Sequence, residues 1–266
     1  MLVLAAIPDF QLHRLRRAAE GRFEFVRARG WEEALDLIRT RPVELAVVDP
    51  LLSGEARRQE IERLRVLFPS LPIFVYTTLM PETAGVLLAL GRHGIQHVVF
   101  AHHDDHPALL RRVLADEAAR TASQRLVAEI ASGLTPLPAN LRAVIEEALR
   151  SPTEVQRVRQ VAERARVDRR TFYRWITRAG LPSPRHFLAA ARVLYAHRLL
   201  QDPGFTIEDV VARMSYGQAK ILQQHARAYL GLTAGEMRLS LTPEEALERV
   251  SLRFRRPAAG VHRAAS

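Results

Sequence analysis

The stretch "VAERARVDRRTFYRWITRAGL", Val161 to Leu181, holds two short helical patterns on either side of Arg166-Val167-Asp168. Asp168 can accept hydrogen bonds from the first free amides of the second pattern, which runs from Arg169 to about Ala179. Within it Phe172, Ile176 and Ala179 recur at i, i+4 and i+7 and form a narrow apolar stripe. Arg170, Tyr173, Arg174 and Thr177 fall on the opposite side, with Arg169 at the first turn. A helix this basic, with so narrow an apolar side, is suited to lie against something anionic.

Two short helices about a tight turn, the second with a basic outer face, make a helix-turn-helix. The second helix of such a unit can enter a major groove, where Arg reaches guanine edges and phosphates. The same grammar recurs about 45 residues on: "TIEDVVARM" is a short helix, "SYGQ" a turn, and "AKILQQHARAYLG" a helix ending at Gly231. Between them "PRHFLAAARVLYAHRLLQD" forms one helix of about 18 residues, or ~27 Å at 1.5 Å per residue. Such a strut holds two reading helices on one face of a duplex, about one turn or ~34 Å apart.

Working outward, residues 1–120 change character. "LVLAAI" (2–7), "FEFVRA" (23–28), "ELAVVD" (44–49), "IFVYTT" (73–78) and "HVVF" (97–100) predict strands, rich in Val, Ile and Phe. Amphipathic stretches of helical spacing separate them, which predicts a parallel sheet covered on both faces. The fold class is therefore two domains: an α/β parallel-sheet domain over 1–120 and an all-α double helix-turn-helix domain over 140–238. Residues 121–139 form a helical linker that breaks at "SGLTPLPAN". Residues 239–266 add a helix capped at Thr242-Pro243 and a disordered tail, "RRPAAGVHRAAS".

Charge follows the same division. Residues 1–120 hold 16 Arg against 16 acids, whereas residues 121–266 hold 23 Lys and Arg against 13 acids, so the whole net charge of +10 lies in the second part. Solubility does not require such segregation; a polyanion-binding module does. The absence of cysteine excludes disulfides, thiolate metal sites and a cysteine nucleophile. No apolar run approaches the ~20 residues of a membrane span, and "MLVLAAI" is too short for a signal segment. The expectation is a cytoplasmic protein with no membrane partner.

The helical part resembles the AraC/XylS-type DNA-binding domain over roughly Ala139 to Arg238. The spacer positions Arg192, Leu194, Ala196, Leu199 and Leu200 and the closing "GLTAGEMR" carry the likeness. The resemblance implies double-stranded DNA as partner. It assigns Arg169, Arg170, Tyr173 and Arg174 to the first reading helix, and Ala219, Lys220, Gln223 and Gln224 to the second. Three positions depart from it: Ser215-Tyr216 stands for Gly-Phe, Gln224 for an Arg, and Ala226 for a core Phe. A missing buried Phe costs about 3–5 kcal/mol unless neighbours fill the space, for which Met214, Tyr216 and Tyr229 are the candidates.

The first 120 residues resemble a response-regulator receiver. That resemblance puts Asp49 at the phosphoacceptor position and Thr77 at the switch hydroxyl. Receiver chemistry also needs two Mg²⁺-binding acids after the first strand and a lysine after the fifth. Here "LAAIPDF" offers only Asp9, one or two residues late, and Ala101 takes the lysine's place; the sole lysine is Lys220. The expectation is a pseudo-receiver in which Asp49 is a degenerate phosphoacceptor and Thr77 a switch-like residue without phosphorylation. It would mediate a homodimer or another protein contact, or hold a small ligand.

"HHDDH", His102 to His106, is the one dense cluster of ligand-type residues, but adjacent loop side chains point apart. No metal, cofactor or catalytic residue is expected, and no enzyme. The function that follows is sequence-specific transcription regulation. Its rivals are an interaction protein that sequesters another regulator through a degenerate helix-turn-helix, and a phosphorylation-controlled response regulator.

Overall fold

The computed structural model describes residues 1–131 apart from 53, 55, 56 and 93, residues 157–255 apart from 165, 179 and 180, and positions 139, 142, 143, 147 and 148. The Gly-Pro break of the linker, the end of the first reading helix at Ala179-Gly180 and the C-terminal tail lie outside the described residues. The chain divides into two compact units: Met1–Arg125 with the segment Asp202–Asp209, and Leu126–Gln201 with Val210–Ser266.

In the first unit five strands, β1 (Leu2–Ala6), β2 (Glu24–Arg27), β3 (Val43–Val48), β4 (Ile73–Thr77) and β5 (Val98–Phe100), pair in parallel. Their order is β2-β1-β3-β4-β5, the flavodoxin-like doubly wound arrangement. Helices α1 (Asp9–Ala19), α2 (Trp31–Thr40), α3 (Arg58–Leu67), α4 (Pro81–Arg92) and α5 (Pro107–Ala118) alternate with them. Every residue of β1 and β4 is buried, which is why these strands are apolar throughout rather than alternating. The period of two sends Val3, Ala5, Leu45, Val47, Phe74 and Tyr76 into one cluster with Leu12 and Leu15 of α1 and Leu110, Val113 and Leu114 of α5.

The segment Asp202–Asp209 completes this unit. Ser70 donates through its amide and hydroxyl to the Asp202 carboxylate at 3.1 and 2.5 Å. The Gly204 amide donates to the Leu67 carbonyl at 2.7 Å, and Phe205 meets Phe68 edge-on with centroids 4.9 Å apart. A Cβ on Gly204 would stand 2.4 Å from the Phe68 ring, so this approach admits only glycine.

Helix α6 (Ala122–Ala131) follows α5 in the chain. Seven more helices follow: α7 (Val158–Arg164), α8 (Arg169–Arg178), α9 (Pro184–Leu200), α10 (Ile207–Arg213), α11 (Ala219–Leu230), α12 (Ala234–Ser240) and α13 (Pro243–Arg255); all lie in the second unit except the first three residues of α10. Helix α9 is the axis of the unit. It is nearly all buried from Phe187 to Leu200 and packs on α7, α11, α12 and α13. Phe172 and Ile176 of α8 meet Val161 and Ala162 of α7 and Phe187, Leu188 and Ala191 of α9 in one cluster. Reciprocal capping boxes start α12 at Thr233–Glu236 and α13 at Thr242–Glu245.

Candidate nucleic-acid interface

The local chemistry of α8 is that expected from its sequence. Asp168 Oδ1 accepts from the Thr171 amide at 2.9 Å; the Thr171 hydroxyl first, then this amide and its neighbours, hold the carboxyl below its usual range. The apolar stripe is buried, while Arg169, Arg170, Arg174 and Thr177 are exposed. Tyr173 differs from its simple assignment to the outer face. It is half-buried against the α7–α8–α9 cluster, and the Arg169 guanidinium lies 5.5 Å from its ring centroid. A tyrosine at the border of the stripe has enough apolar surface to join the core by its ring.

The helix that the resemblance assigns as second reader is α11. Leu222, Ala226, Tyr229 and Leu230 are buried, while Ala219, Lys220, Gln223 and Gln224 all face solvent. The tight turn before it uses two left-handed residues, Ser215 at φ 52° and Gly217 at φ 71°. Ala226 is buried, as are Met214, Tyr216 and Tyr229, the residues expected to compensate for the missing aromatic. His225 stands edge-on to Tyr216 and Tyr229, with centroids 5.8 and 6.3 Å apart. Arg192 of α9 closes the cluster from below, its Nη2 donating to the Met214 carbonyl at 2.5 Å and its guanidinium 4.3 Å from the Tyr216 centroid. Sequence reasoning used Arg192 only as a spacer marker and did not single out His225. Neither contact has a local signal, because each partner comes from another helix.

Between α7, α8, α9 and α11 lies a cleft of about 420 Å³ whose lining contains five arginines and no acid. Arg157 and Arg159 at the start of α7 and Arg185 at the start of α9 belong to it and were not singled out by the sequence, since they sit on two separate segments with no common spacing.

In the α/β unit Asp49, at the end of β3, is only 2% exposed. Its Oδ1 accepts from the Thr77 hydroxyl at 2.7 Å and the Leu51 amide at 2.9 Å, and its Oδ2 accepts from Gln11 Nε2 at 3.1 Å. Burial pushes the carboxyl up, against the lowering effect of these three bonds. Asp9 turns away to an ion pair with Arg27 at 2.7 Å. Ala101 is buried, and its amide donates to the Thr77 carbonyl at 2.8 Å. These residues do not fit a Mg²⁺ ion: one buried carboxylate, already taken by three donors, is no divalent-cation site.

The His102–His106 loop divides its side chains among separate tasks. His102 stacks on Phe10 with centroids 5.6 Å apart, Asp104 accepts from the Phe100 amide at 2.6 Å, and His106 caps α5 through the Leu109 amide at 3.2 Å. Asp105 accepts from Tyr76 at 2.6 Å and pairs with Arg14. Among the described residues no three His, Asp or Glu side chains gather as metal ligands, and no helix is long and apolar enough to cross a membrane.

Comparison with known proteins gives one family match. Residues 161–240, which run from α7 to the end of α12, match the family described as helix-turn-helix domain, of the AraC type. No curated protein matches. Among solved structures the chain is similar to the crystal structure of full-length FixJ from B. japonicum, at 13% identity over 87% of this chain and 98% of that one. The TM-score of 0.37 makes that likeness too loose to carry an argument.

Proposed function

We propose that this protein is a transcription regulator that binds specific duplex DNA through α8 and α11 and is governed by protein contacts of its α/β unit, without phosphorylation. The observation that carries the reading is the pair of outer faces. Arg169, Arg170 and Arg174 on one helix, and Lys220, Gln223 and Gln224 on the other, are exposed above buried stripes within one helical unit. Arg and Gln are the side chains that pair bidentately with guanine and adenine in a major groove. Arg174 and Gln224 act as base readers and Arg169 and Arg170 as phosphate contacts, while Tyr173 supports the first reader from the side.

Control independent of phosphorylation is supported by the state of Asp49. A carboxylate buried among Gln11, Thr77 and Leu51 has three of its roughly four lone-pair sites already engaged, and Ala101 offers no cation to a phosphoryl product. The α/β unit then contributes by docking a second copy or another protein.

The test is footprinting and mobility shift with the full chain on genomic fragments, with and without acetyl phosphate and Mg²⁺. Discrete protected sites are expected, unchanged by the phosphodonor. Absence of any shift at low salt would favour the sequestering reading. A phosphoryl adduct at Asp49 that alters binding would overturn the phosphorylation-independent one.

A further inference from the structure

The cleft beside the two readers has a charge that its own unit does not neutralise. Arg157 precedes α7, Arg169 opens α8, Arg185 opens α9 and Arg192 lies deeper on α9; Tyr173 and His225 bring the two reading helices to its walls. None of the lining residues is acidic; among the described residues Arg159 pairs with Glu163 at 2.6 Å. Arg157, Arg169 and Arg185 are exposed. Like charges gathered in a concave, partly apolar site repel one another and focus a positive potential, which a bound anion relieves. The field is felt within the unit: burial first, then the charges of Arg192 and Arg185, hold the His225 imidazole below its ordinary proton affinity.

The position of the cleft says which anion. Two reading helices set in successive major grooves on one face of a duplex leave, between them, the minor groove and its flanking sugar-phosphate strands. The surface between α8 and α11 is the cleft, floored by α9. Resting on the DNA-binding reading above, we propose that this cleft is a backbone clamp: it seats a phosphodiester of the strand crossing between the two readers, held by Arg157 and Arg185. Such contacts fix register and add affinity without reading sequence. Guanidinium forks match phosphate oxygens, and the lining offers little with which to discriminate a base.

The test is a salt series on the full chain with the double variant Arg157→Ala/Arg185→Ala, against a footprinted duplex and an unrelated one. Both side chains are exposed, and a melting curve checks that the fold is kept. The expected result is an equal fold-loss of affinity on both duplexes. The slope of log affinity against log salt should shrink by about one for each phosphate contact removed. An unchanged slope, or a loss confined to the footprinted site, overturns the clamp. Titration with inorganic phosphate separates the other source of the same chemistry. If wild type saturates with free phosphate and only that binding is lost in the variant, DNA affinity being kept, the cleft is an anion-effector site and the clamp is wrong. If wild type binds neither duplex, the DNA-binding reading itself fails and the clamp with it; a variant that loses only the salt slope would leave that reading standing.

Discussion

Asp49 is a buried carboxylate at the end of β3 whose proton affinity is set by its surroundings. Burial lifts its proton affinity above the unfolded value of 3.8, so the folded chain holds the proton more tightly than the unfolded one. That contribution is complete below the unfolded value and is lost as pH rises through the folded pKa. Asp49→Asn removes the buried charge while keeping an acceptor for Thr77 and Leu51, and a flipped Gln11 amide can accept from the new donor. Urea unfolding should find the variant no less stable than wild type at neutral pH, with its advantage shrinking toward pH ~4. Greater destabilisation at neutral pH than in acid would contradict this account. Ser215 offers a second residue-scale test. It holds a left-handed backbone, which costs a side-chain-bearing residue roughly 1–2 kcal/mol, so Ser215→Gly should stabilise the chain by up to about 1 kcal/mol after the entropy glycine loses. A lower melting temperature would show that the turn is not strained.

At the scale of elements, the two helices proposed as readers rest on different foundations. Helix α8 has its side-chain cap and a regular apolar stripe, while Gln218 at the start of α11 makes no such cap bond and only alanine, Ala226, stands at a buried position of its stripe. A bidentate base contact is worth ~1–3 kcal/mol of discrimination, so Arg174→Ala should weaken binding to a footprinted site by roughly ten- to a hundred-fold. Gln224→Ala should cost less than about 1 kcal/mol as a neutral hydrogen bond. Titration of both variants at fixed salt decides, and a larger loss at Gln224 would reverse the ranking. The rings behind the readers also make this unit sensitive to acid. Burial first, with Arg198 beside it, holds His197 below its unfolded value of 6.5. A depressed folded pKa gives stability that is present above the unfolded value and lost as pH falls below it toward the folded one. His225 shifts the same way. Thermal melts should therefore show the helical unit weakening between about pH 7.5 and 5.5, and His197→Gln should flatten that dependence.

For the molecule as a whole, the charge division makes a prediction that needs no detail of either site. Residues 1–120 balance 16 Arg against 16 acids, and the excess of ten positive charges lies beyond them. On a heparin column at neutral pH the full chain should be retained until high salt, while a fragment of residues 1–120 should pass through. Retention of that fragment would show a polyanion surface on the α/β unit that its composition does not reveal.

The sequence by itself determined what is local or periodic. Strand runs at 2–7 and 44–49, the stripe Phe172-Ile176, the Asp168 cap and the segregation of charge are all short-range patterns, set by covalent neighbours and by the period of each element. From them came the two fold classes and the placing of a helix-turn-helix in the second part. Only the tertiary structure decided what distant segments do together. Gln11 donates to Asp49, Arg192 and His225 both meet the Tyr216 ring, and three unrelated arginine segments converge on one cleft. The segment Asp202–Asp209 joins the first unit, because Gly204 is small enough to lie against Phe68. Contacts of this kind depend on which surfaces meet after the chain has turned back on itself, and no spacing along the chain encodes that meeting.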